Sequence, residues 1–123
     1  SNVIADEDGV GGGVVDFLMC KGFVNNSRAL NDENFNNLKS QCGYKMAAKI
    51  QAREVGEMVA DSSVIDIVTE EMEQVKQKDI DKDGKIALVS KDIVKQNIGR
   101  SPDEWDSIMM RYWFELAPKF GVY

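Results

Sequence analysis

Histidine is missing from all 123 residues. Without an imidazole the chain has no Cys–His nucleophile pair and no common Cys/His zinc set. Cysteine is nearly missing too: Cys20 and Cys42 are too few for a disulfide framework. They read as two small apolar core residues in a reducing compartment, with a single Cys20–Cys42 bridge as the alternative. No apolar run approaches the roughly 20 residues of a membrane span, and the N-terminus lacks the basic-then-apolar pattern of a signal peptide. The expectation is a soluble chain without a membrane span, cytoplasmic in preference to secreted. No cluster of lysine and arginine offsets the formal charge of −6, which argues against nucleic acid and anionic membrane as partners. Gly11-Gly12-Gly13 follows no strand and lacks the lysine of a phosphate-binding loop, and no serine sits in a nucleophile motif. The chain is therefore expected not to be an enzyme.

Apolar residues, by contrast, are plentiful. At 43% hydrophobic content and this length, one domain can bury about two thirds of the surface its unfolded form exposes. Residues 1–13 are acidic and then glycine-rich, which predicts a flexible leader ahead of a single domain over 14–123. Helical spacing over Val14, Val15, Phe17, Leu18, Met19 and Phe23 predicts a short first helix ending near Lys21-Gly22. Asn31 or Asp32 can cap a long second helix whose face is Phe35, Leu38, Cys42, Met46 and Ile50, continuing through Val55, Met58 and Val59. Gly43 and Gly56 weaken that helix locally. Ser63 and Asp66 are placed as a capping pair before a third helix bearing Val64, Ile65, Val68, Met72 and Val75, which is expected to run straight into an Asp-rich loop. Beyond that loop, Ser90 can cap a fourth helix that Gly99 ends in a left-handed turn. Ser101-Pro102-Asp103-Glu104 opens a fifth, carrying Trp105, Ile108, Met109, Tyr112, Trp113 and Leu116. The predicted fold class is all-α with about five helices, and no strand beyond two or three residues around Ile86.

The Asp-rich loop makes the strongest chemical statement. Asp79, Asp81 and Asp83 place oxygen ligands at every second residue ahead of Gly84, a spacing that suits a hard cation if the backbone winds around it. With Asp79 as the first position, Lys85 would offer its carbonyl at the seventh, Ala87 would leave the ninth to water, and Ser90 stands at the twelfth. Here the chain resembles the EF-hand superfamily over about a quarter of its length. The resemblance implies calcium, with magnesium as the alternative, held by Asp79, Asp81, Asp83, Lys85 and Ser90. Ser90 departs from the bidentate glutamate usual at that place, and the loss of that ligand implies affinity of about 10⁻⁴ to 10⁻³ M or a vestigial loop. Asp92 is the nearest carboxylate that could close the shell instead.

EF-hand loops normally pair through a short β bridge at the eighth position, here Ile86, so a lone loop needs a mate in its own chain or in a second copy. Residues 23–34 align as a silent hand if Leu30 takes the place matching Ile86, although Phe23 and Arg28 remove the ligands; an ordinary interhelical connection is the alternative. Monomer or loop-paired homodimer follows from this. Residues 102–116 are expected to pack into the chain's own Met-lined groove, against the competing picture of an exposed stripe awaiting another protein. The functional expectation is a non-enzymatic, weakly calcium-binding interaction or regulatory module whose partner is another protein or helix. A metal-free helical adaptor and a carrier of an apolar small molecule are the alternatives.

Overall fold

Parallel pairing of two short strands opens the chain. The computed structural model describes residues 3–8, 11–52, 62–78 and 84–117. Strand β1 (Ile4–Asp6) pairs with β2 (Lys21–Phe23), matching Ile4 with Lys21 and Asp6 with Phe23. Helix α1 (Gly11–Leu18) is the crossover that a parallel pair requires. Part of the stretch read as a flexible leader is thus a strand, packed against α5 (Asp103–Arg111). The first helix ends earlier than predicted because Met19 turns left-handed at φ 52°, and Phe23 then enters the core from a strand instead of a helix. The fold is mostly helical with this small sheet, so the all-α expectation holds in its main part.

The second helix also starts later than its periodicity suggested. Asn31 and Asp32 have φ of 60° and 55°, outside helical space, and Leu30–Asp32 form only a single 3₁₀ turn. Helix α2 (Leu38–Gln51) begins instead behind Asn37, whose Oδ1 accepts from the Ser40 N–H at 2.8 Å. One side chain orders the polar connection before it. Gln41, fully buried, accepts the Leu30 N–H at 2.7 Å and donates to the Leu30 carbonyl at 3.0 Å. Its amide also donates to Glu33 at 2.7 Å, which, with Lys45 beside it, holds the Glu33 carboxyl below its ordinary pKa against a smaller opposing effect of burial. A buried amide with every partner in place specifies a single conformation for such a loop. The predicted continuation of this helix through Val55, Gly56, Met58 and Val59 lies outside the described residues.

Helices α3 (Ser62–Gln74), α4 (Lys91–Ile98), α5 and the short α6 (Trp113–Leu116) complete the chain. Helix α4 matches its prediction: Ser90 caps it through the Ile93 N–H, and Gly99 closes it at φ 77°. The core joins Phe23, Leu38, Cys42 and Met46 to Trp105, Met109 and Tyr112, so the aromatic helix packs inside the molecule. Cys42 is buried with its thiol pushed up to about 12 by desolvation, Cys20 is half-buried, and both are free. Gly43 explains the glycine that sequence alone reads as a weakness. A β-carbon there would stand 2.9 Å from the Trp105 ring and 2.6 Å from Leu88 Cδ1, so its absence lets α5 approach α2.

The start of α5 depends on a partner distant in sequence. Its cap position falls on Pro102, which offers no side-chain oxygen, and Ser101 makes no capping hydrogen bond there. The Trp105 N–H donates instead to the buried carboxylate of Glu71 on α3 at 2.8 Å. Glu71 Oε1 has no hydrogen bond and lies 3.7 Å from Arg100 Nη2, whose Nη1 is bonded to Glu70 at 2.8 Å. Burial above all, and then Glu104, push the Glu71 carboxyl above its ordinary pKa, against the opposing pull of the Trp105 N–H and Arg100. Spacing carries the signal that could have found it: Glu71 falls three residues after Val68 and four before Val75, on the apolar face of α3.

Candidate functional site

The entry flank of the Asp-rich loop differs from the predicted helix-loop-helix, whereas α4 begins at Lys91, directly after the loop's twelfth position. Helix α3 stops at Gln74, ahead of the loop, and the chain then forms a two-stranded ladder. Gln77 and Leu88 are antiparallel bridge partners, the Lys78 N–H donates to the Ala87 carbonyl at 2.8 Å, and the Val89 N–H donates to the Lys76 carbonyl at 2.9 Å. Asp79, Asp81 and Asp83 lie outside the described residues; Gly84 is described, with φ of 66° in left-handed space.

The loop is pinned to a second segment, though not to the one expected. Ile86 bridges Phe35 in parallel: its N–H donates to the Asn34 carbonyl at 3.1 Å, and its own carbonyl accepts from the Asn36 N–H at 2.8 Å. Asn34 Nδ2 adds a bond to the Gly84 carbonyl at 2.9 Å, and the Leu88 N–H donates to Ser40 Oγ at 3.2 Å. Leu30, the expected mate, is instead held by Gln41, and Phe23 is the buried end of β2. Residues 23–34 therefore run from the end of β2 through a 3₁₀ turn toward α2 and do not form a loop between two helices.

Of the remaining proposed ligands, Lys85 is exposed beside a hollow that Asp32 and Glu33 also line. Ser90 follows the bridged segment directly in the chain, and its oxygen accepts the Ile93 N–H. Asp92 is exposed in the first turn of α4. Among the described residues no three His, Cys, Asp or Glu side chains are grouped to hold a metal.

A different feature dominates the surface. Helix α1 buries only Val15, and at its end Phe17 is 87% and Met19 is 88% exposed, with Val14 and Leu18 about half exposed. Sequence periodicity could not have found this, because it assigns the same residues to a core face. The short crossover is too small to cover them, and Met19 leaves the helix with a left-handed backbone. A third feature is a trough of ≈ 440 Å³ between α2 and α3, lined by Tyr44, Met46, Ile50, Met72 and Trp105. No described helix is long and apolar enough to cross a membrane. No family model, curated protein or solved structure matches this chain.

Proposed function

We propose that this protein is a non-enzymatic α-helical interaction module that associates through the apolar end of α1, in the first instance with a second copy of itself. The observation that carries the reading is the near-complete exposure of Phe17 and Met19 side by side with Val14 and Leu18. Soluble monomers rarely leave four large apolar side chains uncovered within six residues, three of them (Val14, Phe17, Leu18) on one helix face by spacing, and such a patch is the usual mark of a contact surface. A patch on one short helix is self-complementary about a two-fold axis, which is the commonest way to cover it. In this reading the Asp-rich loop is a turn that retains the glycine geometry of a cation loop without its closing ligand.

Sedimentation equilibrium of the whole chain and of Phe17→Ser tests the proposal. A concentration-dependent dimer in the parent and a monomer in the variant are expected. A parent that stays monomeric, or a variant that dimerises equally well, would remove the reading.

Weak calcium or magnesium binding stands as a second reading, because Gly84 has the left-handed conformation that inward-pointing Asp79, Asp81 and Asp83 would require. The ligands would be those three carboxylates and the Lys85 carbonyl, completed by water. Ser90 is better accounted for as the cap of α4. Calcium added well above its dissociation constant must raise the melting temperature, and an Asp79→Ala/Asp81→Ala variant must abolish the rise.

A further inference from the structure

A cleft of ≈ 540 Å³ lies where the start of α2, the ladder and the start of α4 meet. Its lining is rich in lysine and amide side chains, with Asp106 behind Lys91 and Asp8 behind Asn25. Lys39, Lys78 and Lys91 line it together with Asn25, Asn36 and Asn37, and no carboxylate does so among the described residues, in a chain whose formal charge is −6. Ala87, Val89 and Ile93 add an aliphatic surface.

The lysines are not all engaged elsewhere. Lys91 is bonded to Asp106 at 2.7 Å, but neither Lys39 nor Lys78 has a carboxylate partner among the described residues. Lys39 is half-buried, its Nζ 5.8 Å from the Trp105 ring centroid, and burial lowers its pKa, with Lys91 adding to the effect and Asp106 and Asp6 opposing it. Desolvation is the largest of these effects, and a partly desolvated ammonium gains more from a directly contacting anion than an ordinary surface lysine does. The N-termini of α2 and α4, capped at Asn37 and Ser90, open onto the same cleft; that of α2 has no acid in its first turn and adds positive potential, whereas Asp92 offsets that of α4.

We propose that this cleft binds a small organic phosphate, its phosphoryl group between Lys39 and Lys78 and its apolar body against Ala87, Val89 and Ile93. The volume suits a small molecule, and the overall negative charge disfavours a long polyanion. This site shares no residue with the apolar end of α1 and stands independently of it.

Amide NMR titration of the full chain tests the assignment, with phenyl phosphate as the probe and benzyl alcohol as the uncharged control. Saturating shifts confined to the amides of residues 36–40 and 87–93, absent with benzyl alcohol, are expected. Lys39→Gln and Lys78→Gln, each checked for an unchanged fold by circular dichroism, should weaken phenyl phosphate binding about tenfold or more, the effect of losing one charge-assisted hydrogen bond. Lys78 is exposed, so its variant keeps the test decisive if Lys39→Gln unfolds. Shifts scattered over the surface, no saturation, or equal affinity in the variants would overturn the proposal.

Discussion

The two ends of the chain distribute their apolar residues in opposite ways. Around α1, Val14, Phe17, Leu18 and Met19 face outward and Val15 alone is buried within the helix. In α5, Trp105 and Met109 are 3% and 0% exposed, and Tyr112 follows them inward. Both segments show helical periodicity, yet only the second meets enough neighbours: α2 and α3 both pack on α5. Hydrophobic spacing thus states which face a helix would bury. It does not state whether a surface exists to bury it against.

The largest expected effect lies in the α5 core. Met109→Ala should cost about 2–5 kcal/mol in denaturant melts, because a fully buried side chain would be replaced by a cavity between packed helices. Phe17→Ala changes a residue of comparable bulk, so a similar loss there would erase the contrast.

An intermediate effect is expected at Glu71, the carboxylate that ties α3 to the start of α5. Glu71→Ala leaves the Trp105 N–H without an acceptor in a buried setting and should cost about 1–3 kcal/mol. Glu71→Gln keeps an acceptor and removes the buried charge. The parent's folded-state pKa is raised, so its contribution to stability is complete below the ordinary glutamate value and is lost as pH rises through the folded value. Melting temperatures measured against pH should therefore show the parent falling relative to Glu71→Gln as pH increases. Glu33, held below its ordinary value, has the opposite sign: its contribution is present at neutral pH and lost as pH falls through its folded value. A flat difference between parent and Glu71→Gln would mean that Glu71 is not carrying buried charge.

The smallest effect should fall on α1. Phe17→Ala ought to change the monomer's stability by no more than about 0.5 kcal/mol, since the ring has almost nothing to leave. Extrapolation to low protein concentration separates this value from any contribution of self-association.

Legibility varied with the range of the interactions involved. Helix α4 was readable because its signals are local: Ser90 bonds within its own first turn, and Gly99 needs only a left-handed backbone. The inward packing of Trp105, Met109 and Tyr112 was also readable, as a cluster too large to leave exposed. The start of α2 was not. Asn31 and Asp32 are as good capping residues as Asn37, and Gln41 decides between them by gripping Leu30 from a turn further on. The candidate cation loop was legible as a spacing of aspartates before a glycine. Its surroundings were not, because a ladder between 76–78 and 87–89 and a bridge from Ile86 to Phe35 leave no mark in the loop's own twelve-residue count. The lysine cleft was invisible for the same reason: Lys39, Lys78 and Lys91 are far apart in sequence and form no basic run.

Sequence alone determined the helical character, the absence of imidazole chemistry, the capping of α4 and the left-handed residue at Gly84, since each depends on side-chain identity or on contacts within a turn or two. Tertiary structure alone decided that β1 and β2 pair, that Glu71 completes the start of α5, that Ile86 bridges Phe35, and that α1 keeps its apolar end uncovered. Those outcomes depend on which distant segments meet, and that is fixed by the shape and fit of the whole core, of which periodicity records only one face at a time.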